Sequence, residues 1–149
     1  AFGSYRQRNV MTQFGIDVTA EDIVETLGFF DSWEDRYKYI IDLGKELPEM
    51  AESLRTDEYI VRGCQSQVWL VSDVRDGKLF FQADSDAFIV KGLLAVVLAA
   101  YNGKSPADVL AVDVDAYFTS LDLVQHLSST RGNGLKAMVK RIQETAASL

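Results

Sequence analysis

The chain has one cysteine, Cys64, and one histidine, His126. Cys64 sits in Arg62-Gly63-Cys64-Gln65-Ser66-Gln67-Val68-Trp69-Leu70, directly ahead of a stretch that reads as a strand. Gly63 permits backbone conformations that a side chain would hinder. Gln65, Ser66 and Gln67 keep the thiol out of an apolar run, and Arg62 is close enough in sequence to favour a thiolate. A lone cysteine is also commonly a small buried hydrophobe. Loop position and polar neighbours argue for reactivity, so on the residues alone both readings stand.

Other chemistries have less support. A structural zinc site usually needs four Cys or His ligands and an iron–sulfur cluster several cysteines, which one of each cannot supply. Asp84-Ser85-Asp86 could offer carboxylates, but it reads better as the capped, dipole-complementing start of a helix. A Cys64–His126 hydrolase or transferase is the enzymatic alternative, since such pairs need not be adjacent in sequence. His126, however, is expected near a helix end, where it would meet helix carbonyls. Two nucleotide-like motifs fail on context. Gly103-Lys104-Ser105 ends like a phosphate-binding loop, but the required upstream glycine position holds Leu98. Gly132-Asn133-Gly134 has no strand before it and reads as a loop entering the last helix.

The elements that must position Cys64 follow from capping signals and hydrophobic spacing. Thr19 with Asp22, and Ser32 with Asp35, mark two helix starts. Ile23, Val24, Leu27 and Phe30 form one apolar face; Trp33, Tyr37, Ile40, Ile41 and Leu47 form the next, ended by Pro48. A helical turn is expected around Ala51 to Leu54 and a short strand at Tyr59 to Val61. Val68 to Val74 and Leu79 to Gln82 read as a hairpin turning at Asp76-Gly77. An apolar helix from about Asp86 to Tyr101 should be buried on most sides and end at Asn102-Gly103. Ser105-Pro106 opens another helix, Asp115 to Leu121 a further one, and Leu135, Met138, Val139, Ile142, Ala146 and Leu149 stripe the last. The expected class is α+β: a small antiparallel sheet of about three strands packed against helices.

Composition narrows the function classes. With 149 residues, 48% hydrophobic and 25% charged, the chain is long enough to bury a core without disulfides or metal. The net charge of −7 and the lack of a basic patch argue against a nucleic-acid partner. The longest apolar run, Leu93 to Tyr101, is too short for a membrane span. No secretory signal pattern is visible, so the expected compartment is the cytoplasm. Residues Ala1 to Val10 look unlike the rest and read as an appended or disordered leader before Met11, leaving 11–149 as one domain.

The phrase Gly63-Cys64-Gln65-Ser66-Gln67-Val68-Trp69 resembles the active-cysteine motif of the SufE family. Trp33-Glu34-Asp35-Arg36-Tyr37 through Gly44 and Leu47-Pro48 resemble another of its blocks, as do Asp84-Ser85-Asp86-Ala87 with Ile89-Val90-Lys91-Gly92-Leu93. Gln125-His126-Leu127, Arg131 and Gly134-Leu135 resemble its C-terminal block. Four blocks in order, from about Thr19 to the end, make the resemblance specific. It implies an α+β fold like that of iron–sulfur scaffold proteins. It implies a sulfur acceptor that takes persulfide sulfur onto Cys64 from a cysteine desulfurase of the SufS or CsdA kind, stimulates that enzyme, and delivers sulfur to a cluster-assembly scaffold. Pyridoxal phosphate would belong to the desulfurase, and this chain would carry no cofactor or metal of its own. Arg62, Gly63, Gln65 and Arg131 are candidates for supporting Cys64. A homodimer remains open, as does a non-catalytic adaptor with a structural Cys64.

Overall fold

The computed structural model describes residues 12–149, so the expectation for Ala1 to Val10 lies outside the described residues. Six α-helices and one two-stranded antiparallel sheet are found among them, an α+β arrangement. Helix α1 (Ala20–Leu27) starts at a reciprocal cap: Asp22 N–H donates to Thr19 Oγ1 at 3.2 Å, and Thr19 N–H donates to Asp22 Oδ2 at 3.0 Å. Helix α2 (Trp33–Lys45) is capped by Ser32, which accepts from Asp35 N–H. Both caps stand where the sequence places them.

Strand β1 (Val68–Arg75) pairs with β2 (Lys78–Ser85). Asp76 and Gly77 both have positive φ, 54° and 76°, the geometry that a two-residue hairpin turn needs to match strand twist. The third strand expected at Tyr59 to Val61 is reduced to a single bridge, Ile60 to Trp69. Asp57–Tyr59 curls into a 3₁₀ turn instead, so too few residues remain extended to continue the ladder.

Helix α3 (Phe88–Tyr101) is the centre of the core. From Ile89 to Tyr101, every residue but Lys91 is buried. Packing on all sides explains why its sequence is apolar all round rather than on one stripe. It crosses α2 with backbone nearly touching backbone. A Cβ added to Gly92 would stand 2.2 Å from Ile40 O, and one added to Gly44 would stand 2.5 Å from Gly92 N. Only glycine fits at either position, which justifies its poor helix propensity there.

Asn102 ends α3 and anchors what precedes α1. Its side chain donates to Phe14 O at 3.0 Å and accepts from Phe81 N–H at 2.7 Å. Helices α4 (Pro106–Ala111) and α5 (Val114–Leu121) follow, capped by Ser105 and Asp113. The last helix, α6 (Ser129–Ala147), is capped by Ser128 and buries Leu135, Met138, Val139, Ile142 and Ala146. Leu149, expected on the same stripe, lies beyond the helix and is exposed. Gly132 and Gly134 are inside α6, not in a loop before it, because the Ser128 cap starts the helix earlier than the glycines suggest. Among the described residues no helix is long and apolar enough to cross a membrane.

Candidate functional site

Cys64 lies in the loop between Val61 and Val68, whose ends are closed by Val61 N–H donating to Val68 O at 2.8 Å. Gly63 turns the chain with φ +95°, and a Cβ there would also come 3.2 Å from Ala137 Cβ on α6. Glycine is therefore required by conformation and by space. The far side of the loop is braced by β2 and the residues after it. Asp86 Oδ1 accepts from Gln67 N–H at 3.1 Å, and Ser85 Oγ donates to Gln67 O at 2.7 Å while accepting from Ala87 N–H.

That brace corrects the reading of Asp84-Ser85-Asp86 as a helix cap. The residue at the cap of α3 is Ala87, which makes no side-chain capping bond. Strand β2 runs on through Ser85, and this carries Asp84 into the interior at 1% exposure, opposite Trp69 in the ladder. There Asp84 pairs with Arg55 and, at 3.5 Å, with Lys91 Nζ. One buried carboxylate thus joins the segment leading to Cys64, the sheet and α3. Two cations and the Ser85 N–H satisfy it, as a buried charge requires. Arg55 also stands over the Trp69 ring, 5.8 Å from its centroid.

Cys64 is half-buried at the edge of a cavity of about 100 Å³. Its walls are Val90 and Leu93 from α3 and Gly134 and Met138 from α6; Gln65, Ser66, Ser128, Thr130 and Arg131 complete the lining. The thiol faces Gly134 O at 3.5 Å, within range for an S–H donor. Burial pushes its pKa up, so the resting group is a protonated thiol near neutral pH.

The candidate residues thus divide. Gln65 and Arg131 meet Cys64 at the cavity, and Gly63 shapes its loop. Arg62 is exposed and lines a different groove, with Asp57, Glu58, Lys140, Arg141 and Glu144. Desolvation, and no neighbouring cation, sets the direction of the Cys64 shift, so the expected help from Arg62 is absent from the resting site. His126 is not among the cavity's lining residues. Its ring stacks on Trp33 at 4.5 Å between centroids, and Nδ1 lies 2.9 Å from Asp122 O. The structure therefore does not bring the Cys64–His126 pair together. Meeting a helix-end carbonyl is the bland role the sequence suggested for His126, although the turn it occupies, Val124–His126, is 3₁₀.

Val68, Trp69 and Leu70 are the apolar residues that follow Cys64 in sequence. These are buried but do not line the cavity. The actual walls carried a signal: Val90 and Leu93 are three apart, Gly134 and Met138 four apart, so each pair shares a helix face. Nothing in that spacing says which face looks toward Cys64.

The chain is similar to known proteins in sequence and in fold. The family model described as SufE, Fe-S metabolism associated domain, matches residues 21–146. An uncharacterized SufE-like protein of Rhizobium etli is 51% identical over 130 residues, covering 85% of this chain and 88% of the relative. A second, from Rhizobium meliloti, is 48% identical over 130 residues, covering 85% of this chain and 93% of the relative. The solution structure of a hypothetical protein from Thermus thermophilus shares the fold, with TM-score 0.70 at 21% identity, over 87% of this chain and 93% of that one.

Proposed function

The chain belongs to the SufE family, a family of Fe–S metabolism, and we propose that it acts there as a sulfur acceptor whose persulfide forms on Cys64. The observation that carries this reading is the single thiol held at the edge of a small, partly apolar cavity. In the transfer, the Cys64 thiolate attacks the outer sulfur of a persulfide on a cysteine desulfurase. A new S–S bond forms at Cys64, the donor's S–S bond breaks, and the donor sulfur leaves as thiolate and takes up the proton that Cys64 lost. No external oxidant is needed, because the step is an exchange at sulfur.

Each part of the site has work in this scheme. A protonated, half-buried thiol is a poor target for stray oxidants, since the thiolate is the reactive form. Docking of the desulfurase would supply both access and the base. Once formed, the more acidic persulfide is an anion, and Arg131 is the cation among the cavity's lining residues to stabilise it. Having no second cysteine, the chain cannot resolve the persulfide into an internal disulfide. Pyridoxal phosphate works in the desulfurase, and a cluster-assembly scaffold receives the sulfur.

The test is intact-mass analysis after incubation with a cysteine desulfurase, pyridoxal phosphate and L-cysteine. The chain should gain the mass of one or more sulfur atoms, and Cys64→Ser should fold, bind the desulfurase and gain none. Undiminished gain by Cys64→Ser would remove Cys64 from the role.

A further inference from the structure

Helix α6 holds two glycines in its first two turns, and their surroundings differ. A Cβ on Gly132 would meet nothing within 4 Å, whereas one on Gly134 would stand 3.6 Å from Cys64 Sγ and 3.8 Å from Cys64 Cα. Those are ordinary contact distances, so the resting thiol does not need a glycine at 134. A glycine inside a helix nevertheless weakens it relative to alanine. Resting packing therefore leaves Gly134 unexplained, unlike Gly44 and Gly92, where a Cβ would strike backbone.

The loaded state explains it. The Cys64 S–H is directed at Gly134 O, 3.5 Å from Sγ. In a persulfide the outer sulfur replaces that hydrogen, standing about 2.05 Å from Sγ if the S–S bond has its usual length. It is too large to lie between Sγ and the carbonyl, so it swings aside, and the bare face of Gly134 borders Sγ on one such side. A Cβ only 3.6 Å from Sγ would close that side.

We propose that Gly134 is a positioning residue for the persulfide: the missing side chain makes the berth in which the outer sulfur of Cys64 lies against α6. This rests on the sulfur-acceptor reading above. The consequence is a separation of two properties. Gly134→Ala should stabilise the helix and spare the thiol, yet force the loaded sulfur out of the cavity toward solvent.

The experiment compares wild type, Gly134→Ala and Gly132→Ala, the last giving the same helix benefit away from the cavity. Each is loaded by a desulfurase with L-cysteine and, separately, by inorganic polysulfide, then exposed to dithiothreitol while intact mass follows the loss of sulfur. Both variants should melt at or above the wild-type temperature, and their unloaded Cys64 should alkylate at near wild-type rates. The loaded Gly134→Ala persulfide should be reduced roughly tenfold faster than the other two, because access governs attack at sulfur. Equal loss rates in all three proteins overturn the proposal. Failure of wild type to load from either donor instead overturns the acceptor reading, and the proposal with it. Should Gly134→Ala not fold, the loaded wild-type chain is reduced folded and in urea; equal rates in the two states show an unsheltered outer sulfur and overturn the berth.

Discussion

Two glycine contacts organise this molecule in opposite ways. At the α2–α3 crossing, Gly44 and Gly92 let two backbones meet so closely that no side chain could enter. Where α6 meets the cysteine loop, Gly134 leaves space that the resting protein does not fill. The first contact is closed and serves stability. The second is open and serves chemistry, since a transferred atom needs a place to go. Close packing is general in protein interiors, so a retained gap beside a nucleophile points to function.

The crossing should be the most sensitive place in the chain. Gly92→Ala should destabilise by about 3 kcal/mol, because Ile40 O is backbone and cannot step aside cheaply. Urea denaturation measures this directly; a loss no larger than that of a surface substitution would show that the helices can slide apart. Next in size is the ion-pair network that spans both regions. Arg55→Ala should cost about 1–3 kcal/mol by leaving buried Asp84 with Lys91 as its one remaining cation. It should also speed Cys64 alkylation, since Arg55 holds the segment that leads into the loop. Arg55→Lys should recover part of the stability, as it restores charge without the fork.

At the open contact the effects are smaller and chemical. Burial raises the Cys64 pKa, so at neutral pH the folded protein should react with iodoacetamide more slowly than the urea-unfolded chain. The rate should keep climbing with pH beyond the ordinary thiol range. The sign carries over to stability: the folded state holds this proton more tightly, so the thiol's contribution is present below the unfolded pKa and is lost as pH rises through the folded one. A plateau in alkylation below the ordinary thiol pKa would mean that a cation, not burial, rules the site. The smallest effect belongs to His126→Ala, which removes the stack on Trp33 and should cost about 1 kcal/mol with sulfur acceptance intact. Abolished acceptance in that variant would revive the Cys–His reading.

The sequence and the tertiary structure contributed to this picture unequally. Caps at Thr19, Ser32 and Ser105 and the Asp76-Gly77 turn were legible because each is decided within four residues by local hydrogen bonds or backbone sterics. Cys64 stood out as the one thiol among polar neighbours, and its residues alone left a reactive and a structural reading both standing. Asp84 was misread, because a carboxylate before a helix looks the same whether it caps the helix or ends a strand. Its two cations lie 29 residues earlier in Arg55 and 7 later in Lys91. Arg62 and Arg131 looked alike as candidate supports for Cys64, but folding carried them to different grooves.

By itself, then, the sequence determined most local elements, their order and the one thiol, since these depend on residue identity, short-range sterics, capping and periodicity. Only the tertiary structure decided what surrounds that atom. The cavity joins a loop at residue 64 to one face of α3 and one face of α6, and its walls are far apart along the chain. Side-chain spacing names the faces of a helix, but the packing of the whole core chooses which of them looks at the thiol.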